Sequence, residues 1–79
     1  NNHSKRANAT NMRKYFVIKS FSSSTLKWSY IKRADDNEIA FGEDVRWANS
    51  YSSIFQAGKI IETKLPQGDY IIEEVYRKF

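Results

Sequence analysis

The chain has 79 residues, of which 41% are apolar and none is cysteine, and it carries a formal net charge of +4. A chain of this size forms one domain with a modest core, and without cysteine it holds neither a disulfide framework nor a thiolate metal site. Its apolar runs are much shorter than the roughly 20 residues that cross a bilayer. We therefore expect one soluble, cytoplasmic domain with no membrane partner.

The first twelve residues are polar and contain Lys5 and Arg6 without any repeating apolar position. They predict a flexible basic arm over residues 1–12, ahead of a single domain over residues 13–79. Such an arm can lie along phosphates. A segment without any binding role is the other interpretation, and the sequence leaves both open.

Three strands are predicted before the middle of the chain. Residues 14–21 are rich in β-branched and aromatic side chains and predict a central strand buried on both faces. Three serines then predict a turn, and residues 25–32 alternate as the second strand of a hairpin. Asx residues at 35–37 predict the next turn. Residues 38–47 are expected to return as the third strand.

Residues 44–65 show the only long helical period in the chain. Steps of three and four predict one helix stripe that faces the core, made of Tyr51, Ile54, Phe55, Gly58, Ile61 and Leu65. Gly58 is expected to allow close approach of the helix to the sheet. In this arrangement Ile60 points outward and Glu62 falls on the inner side. Pro66 predicts that the helix ends near Lys64.

The beginning of this helix has two interpretations. Trp47 fits the helical stripe, but Ile39, Phe41, Val45 and Trp47 also share the parity of a strand with a bulge at Gly42. We favour a strand that continues through Ala48. Asn49 or Ser50 is then expected to cap the helix.

Residues 69–76 predict a closing strand on which Ile71 and Val75 face inward with Glu73. The order β-β-β-α-β indicates an α+β fold, with an antiparallel sheet of three to four strands and one helix packed on one face. The other face of the sheet is expected to stay open.

Catalytic side chains are scarce. The single histidine, His3, lies in the predicted arm, so no histidine of the domain activates a nucleophile. Acidic residues at 35–38 and 43–44 lack the spacing of a calcium loop, and isolated glycines form no phosphate-binding loop. We predict a protein that is not an enzyme, with no metal, no cofactor and no small-molecule substrate.

Positive charge and aromatic residues occur together on the predicted hairpin. Charge of this sign favours an acidic partner, although many small domains carry as much for solubility. Lysines can hold phosphates while aromatic rings stack on bases, but Trp28 and Tyr30 can equally belong to the core. The candidate residues for binding nucleic acid or a partner are Lys5, Arg6, Arg13, Lys14, Lys19, Lys27, Trp28, Tyr30, Lys32 and Arg33.

The segment Asp44-Val45-Arg46-Trp47-Ala48-Asn49-Ser50-Tyr51 resembles the acidic-Val-polar-Trp-Ala stretch of the Dmd family of T-even bacteriophage antitoxins. The small size, the strands around one helix and the basic surface are also similar to TifA-type inhibitors of bacterial toxin nucleases. This resemblance implies a host–virus role, in which the protein binds and blocks a bacterial ribonuclease toxin alone or together with RNA. Residues from Tyr51-Ser52-Ser53 to Ala57 and Ile61 resemble the three-strand-plus-helix unit of the YegP family, which implies fold only.

Two functions follow as hypotheses. The first is a phage-type antitoxin that acts as an inhibitor through protein–protein interaction in the host cytoplasm. The alternative is an independent RNA- or DNA-binding module that uses the basic and aromatic sheet face.

Overall fold

A computed structural model of the chain describes residues 12–78, with only the backbone of Lys78. One antiparallel sheet has the strand order β3-β2-β1-β4, formed by β1 (Met12–Ser22), β2 (Lys27–Ala34), β3 (Ile39–Gly42) and β4 (Asp69–Lys78). The α-helix α1 (Ile54–Thr63) packs on one face of this sheet. The predicted α+β architecture is therefore confirmed. No helix within residues 12–78 has both the length and the apolar character needed to cross a membrane.

β1 is the central strand, as predicted. Phe16, Val17 and Ile18 are buried in its middle, and every residue of β4 pairs with it, over Met12 to Phe21 of β1. Met12 was assigned to the predicted arm but lies in this strand. The rest of the arm lies outside the described residues.

The predicted hairpin between the first two strands is confirmed, with a shift of its second strand. β2 begins at Lys27 and not at residue 25 because Leu26, with a φ of 58°, still belongs to the turn. The Asx turn at residues 35–37 is also confirmed. There Asp35 Oδ1 accepts hydrogen bonds from the backbone N–H groups of Asn37 (2.9 Å) and Glu38 (2.7 Å).

The third strand is much shorter than predicted. It ends at Gly42, and residues Val45–Trp47 form a short 3₁₀ helix and not an extended strand. Asp44 causes this difference, because its Oδ1 accepts from the backbone N–H of Arg46 at 2.9 Å and so caps a turn. The predicted bulge at Gly42 is also wrong, because the register shift lies in β2, between Ile31 and Arg33.

The residues after the 3₁₀ helix fill a gap between β1 and β2. These strands pair only from Lys19 to Ser22 of β1. Beyond that point Tyr51 exchanges two backbone hydrogen bonds with Phe16, of 2.9 and 2.7 Å, and the N–H of Asn49 donates to the carbonyl oxygen of Ile31 at 2.9 Å. The chain is therefore still extended at Tyr51.

The helix consequently begins later than predicted. Ser53, and neither Asn49 nor Ser50, is its N-cap, and the hydroxyl of Ser53 accepts from the backbone N–H of Gln56 at 3.0 Å. The predicted end is confirmed, because Lys64 is the C-cap and donates its backbone N–H to the Ile60 carbonyl oxygen.

The buried side of the helix also differs from the predicted stripe. Ala57 and Leu65 are buried, and Ile60 and Ile61 pack against the same cluster, which includes Ile18. Ile60 therefore points inward, against the prediction, and Glu62 is exposed. The prediction counted the helical period from Tyr51, but that residue is placed by its bridge to β1 and does not fix the rotation of the helix.

Two members of the predicted stripe are wrong as core residues. Phe55 is 77% exposed and Ile54 is 58% exposed. Gly58 does not bring the helix close to the sheet, because a methyl group at its Cα would meet nothing within 4 Å. The inner side is instead set by Ala57, whose small side chain meets the sheet.

The two sheet faces follow from the strand register, because directly opposed residues share a face. Tyr70 and Ile72 of β4 lie on the helix side, so the predicted inward position of Ile71 is wrong. The other side is not fully open. Val17 has no exposed surface on that side, where Arg77 Nη2 donates to the carbonyl oxygen of Val45 in the 3₁₀ helix at 3.4 Å.

Candidate functional site

The face opposite the helix collects the aromatic and charged residues of three strands. Trp28 and Phe21 are paired across β1 and β2 with ring centroids 5.0 Å apart. Lys19 Nζ lies 5.0 Å from the centroid of the Trp28 ring, within range of a cation–π interaction. Lys19 and the rings of Trp28 and Phe21 therefore lie together on this face.

Glu73 changes the electrostatics of this face. Its Oε1 accepts a hydrogen bond from the Tyr30 hydroxyl at 3.0 Å, and its Oε2 lies 3.8 Å from Lys19 Nζ. Burial, followed by the hydrogen bond and the charge of Glu73, raises the pKa of Tyr30 above its ordinary value. Tyr30 thus stays a neutral donor, and the charge of Lys19 is largely compensated inside the sheet.

The candidate binding residues from the sequence are divided between several places. Arg13, Lys19, Trp28 and Tyr30 lie on the face opposite the helix by their register, and Lys32 joins them, because its stem lies over Gly42 opposite Tyr30. Arg33 is paired with Ala40 of β3 and therefore lies on this face as well.

Lys14 and Lys27 have the opposite parity and lie on the helix side, where Lys14 Nζ is 5.9 Å from the Phe16 ring centroid. Arg33 forms ion pairs with Asp35 at 2.9 Å and Glu38 at 3.7 Å. Lys5 and Arg6 lie outside the described residues. No single surface therefore unites the candidate residues.

A second surface is formed by the first turn of α1. It contains Ile54 and Phe55, which lie beside Gly58, a residue without a side chain. Residues three and four apart share a helix face. Phe55 lies about 160° around the helix from the buried Ala57, at about 100° per residue. The exposed side chains of Lys59 and Glu62 border this apolar surface, one turn and two turns beyond Phe55. An apolar centre with a charged rim is the usual arrangement of a protein interface.

Trp47 is a third exposed feature. Its side chain is 68% exposed in the 3₁₀ helix. The neighbouring Asp44 and Arg46 hold each other through an ion pair of 2.7 Å, and this contact lowers the pKa of Asp44. The 3₁₀ helix that carries Trp47 is therefore held at its beginning by the Asp44 cap and by the contact of Arg77 with the Val45 carbonyl oxygen.

A cavity of about 290 Å³ lies between the β2–β3 turn and the end of α1. Its acidic side chains are already engaged, because Asp35 binds two backbone amides and Arg33, and Asp36 is paired with Lys64. Among residues 12–78 no group of three or more histidine, cysteine or acidic side chains is placed to hold a metal ion.

The sequence did not identify the α1 surface as exposed. Ile54 and Phe55 were expected in the core, and Trp47 in a strand. The signal that was available is the spacing of Ala57, Ile60 and Ile61, which forms a second apolar stripe on the same helix. Comparisons with protein-family models, with curated proteins and with solved structures found no match to this chain.

Proposed function

We propose that this chain is a small, non-enzymatic inhibitor that binds a bacterial ribonuclease toxin and blocks it sterically. The observation that carries the proposal is the exposure of Phe55, at 77%, on a rigid helix inside a charged rim. Antitoxin action in the cytoplasm of a phage-infected bacterium belongs to the same proposal, and the Dmd-like segment supplies the class of partner.

The α1 surface supports protein binding for an energetic reason. Covering an exposed phenylalanine contributes about 1.5–3 kcal/mol from its apolar area. A capped helix holds that side chain with little conformational freedom, and the hydrogen bonds of Ser53 and Gln56 fix its first turn. A partner therefore gains the contact without ordering the helix first.

Trp47 supports the same proposal from a separate place. Tryptophan is enriched among the residues that dominate interface energies, and this one lies in the segment that resembles the phage antitoxins. Its 68% exposure leaves most of the ring available for a partner.

The experiment uses the complete chain as bait in a nuclease-treated bacterial lysate, followed by a ribonuclease assay on the captured protein. We expect capture of a ribonuclease whose cleavage of RNA falls when the wild-type chain is added. Phe55→Asp should lose both capture and inhibition.

Leu26→Asn is the matched control. Leu26 is also a large exposed apolar residue, but it lies in the hairpin turn with a φ of 58°, a conformation that asparagine accepts. This variant should inhibit like the wild type. A captured protein without ribonuclease activity, or equal inhibition by the wild type and Phe55→Asp, contradicts the proposal.

A nucleic-acid-binding module is the second candidate, and one observation favours it. Trp28 is 41% exposed on the face that also carries Lys19 and Lys32. The compensation of Lys19 by Glu73 and of Arg33 by its two acidic neighbours weakens this candidate. Titration of single-stranded RNA decides, because each phosphate contact adds about 0.7 to the slope of log affinity against log salt. If the affinity for RNA does not change with salt, or if no binding of RNA is detected, the nucleic-acid-binding candidate is rejected.

A further inference from the structure

The outer edge of β4 is a part of the sheet that the proposed function does not use. This strand runs over ten residues, Asp69–Lys78, and pairs with β1 on one side. Among residues 12–78 no strand pairs with its other side, and the opposite sheet edge, β3, has only four residues. An unpaired edge of this length presents a row of backbone donors and acceptors to another strand.

The charges of β4 are ordered along the strand. Asp69 stands at its beginning, Glu73 and Glu74 in the middle, and Arg77 near its end. When two such strands pair antiparallel, the basic end of each lies opposite the acidic beginning of the other. We propose that β4 pairs antiparallel with β4 of a second copy of this chain, in the register that sets Glu73 opposite Glu73.

This register gives complementary pairs on one face of the joined sheet. Asp69 lies opposite Arg77 twice, once at each end, and Ile71 lies opposite Val75 twice, on the face away from the helices. Opposite charges and apolar pairs directly across strands are stabilising. Ile71, which is 45% exposed in the single chain, gains a cross-strand apolar neighbour.

Neighbouring registers lose these pairs. A pairing centred on Glu74 sets Arg77 opposite Ile71 and Glu73 opposite Val75. A pairing centred on Ile72 sets Asp69 opposite Val75. Registers centred between two residues place the helices on opposite sides of the joined sheet, and the one centred between Glu73 and Glu74 sets these two carboxylates opposite each other twice.

The proposed register sets Ile72 opposite Glu74 twice on the helix side, an apolar–charged pairing that adds no stabilisation, and it sets Glu73 opposite Glu73, its one pair of like charges. Each of these carboxylates already accepts from the Tyr30 hydroxyl and lies near Lys19 Nζ, at 3.0 and 3.8 Å. This compensation within each copy reduces the repulsion between them. Arg77 contacts Val45 through Nη2, and a guanidinium with five donors can hold a carboxylate as well.

The resulting dimer joins two four-stranded sheets into one continuous sheet, with both helices on the same side. Phe55 of each copy stays outside the contact, because the contact involves β4 and not α1. Dimerisation and binding of a protein partner are therefore independent properties, and each can fail without the other.

Cysteine cross-linking tests the register, because the chain has no cysteine of its own. Ile71→Cys and Val75→Cys are prepared separately, mixed under reducing conditions and then oxidised. Opposed residues lie about 4.5–5.5 Å apart between Cα atoms, which fits a disulfide. Two copies of position 71 lie about 13 Å apart along the strands and cannot form one.

We expect a disulfide-linked dimer in the mixture and only monomers when either variant is oxidised alone. Equal cross-linking in the single variants, or none in the mixture, overturns the proposed register.

Sedimentation equilibrium tests the association itself. The wild-type chain should form dimers as its concentration rises, and Asp69→Arg should weaken the dimer by about tenfold, because it replaces two attractive pairs by two repulsive ones. Asp69→Arg combined with Arg77→Asp should restore it. Lys59→Glu is the matched control on the helix and should dimerise like the wild type. A wild-type chain that is monomeric up to about 1 mM overturns the proposal.

Discussion

The Tyr30 hydroxyl on β2 donates a 3.0 Å hydrogen bond to Oε1 of Glu73 on β4, and so links the two strands that flank β1. Lys19 of the intervening strand approaches the same carboxylate. Tyr30 and Lys19, two of the residues predicted to bind nucleic acid, therefore connect three strands through Glu73. We expect these contacts to stabilise the sheet.

Replacing Tyr30 by phenylalanine tests this role. The ring remains, but Glu73 loses one donor while Lys19 stays nearby. We expect the free energy of unfolding at pH 7 to fall by about 0.5–1.5 kcal/mol, the usual net contribution of one hydrogen bond. Urea unfolding followed by fluorescence measures it. An unchanged midpoint contradicts a structural role for this contact.

The raised pKa of Tyr30 predicts a distinct response at alkaline pH. In the unfolded chain the phenol ionises near its ordinary pKa of 10.0, whereas burial and Glu73 keep it protonated in the folded protein. The stabilisation is complete below that pH and is lost as the pH rises through the folded-state pKa. Above pH 10, stability should therefore fall more steeply in the wild type than in Tyr30→Phe. Equal slopes contradict the expectation.

Ser53 is expected to set the beginning of α1. Its hydroxyl accepts from the Gln56 N–H, and the Gln56 side chain accepts from the Ser52 N–H in return, each at 3.0 Å. Ser53→Ala should lower the free energy of unfolding by about 1 kcal/mol, the typical cost of losing an N-cap. Ser50→Ala is the control and should change it by less than about 0.5 kcal/mol. If Ser50→Ala instead lowers the free energy of unfolding more than Ser53→Ala does, the N-cap is Ser50, as the sequence suggested.

Local patterns were sufficient to predict the elements that depend on near neighbours. The central strand, the hairpin turn, the Asx turn and the end of the helix before Pro66 all follow from residues within a few positions of one another. These patterns do not show that Tyr51 pairs with Phe16 of β1, far earlier in the chain, so they cannot show that the helical period must not be counted from Tyr51. The error at Phe55 follows from that long-range contact.

The candidate site also has features that follow from near neighbours in the sequence and features that depend on distant residues. The sequence predicted lysines and aromatic residues on one sheet face, and the register places Lys19, Trp28 and Tyr30 together but puts Lys14 and Lys27 on the other face. The sequence did not indicate that Glu73, 43 residues from Tyr30, would compensate Lys19. Charge compensation between distant strands depends on register, and single-sequence reasoning did not fix the register of β4.

Gly42 lies beneath the side chain of Lys32. A Cβ at this position would lie 2.5 Å from Lys32 Cδ and 3.1 Å from Lys32 Cγ, so the stem of Lys32 would have to move. Because Lys32 is exposed and its stem is flexible, Gly42→Ala should cost only about 0.5 kcal/mol. The same substitution in a Lys32→Ala background should be close to neutral. A double-mutant cycle measures the coupling, and additive effects would contradict the steric explanation.

Gly58 should behave in the opposite way. Nothing lies within 4 Å of a Cβ built on it, and it occupies the middle of α1. Gly58→Ala should raise the free energy of unfolding by about 1 kcal/mol through helix propensity alone. Because this methyl group would stand beside Phe55, the same variant should bind the proposed partner less well. A destabilised Gly58→Ala would show that the helix needs the glycine for packing.

The exposure of Phe55 leads to a comparison that separates a binding surface from a core. Phe55→Ala removes a whole ring, yet should change stability by no more than about 0.5 kcal/mol, because that ring lies mostly in solvent. Ile18→Val removes one methylene from a side chain without exposed surface, and should cost about 0.5–1.5 kcal/mol. The smaller truncation is thus expected to have the larger effect in urea unfolding. Removing a buried phenylalanine ring usually costs about 3–5 kcal/mol. A loss of that size for Phe55→Ala would show that Phe55 belongs to the core and not to the proposed interface.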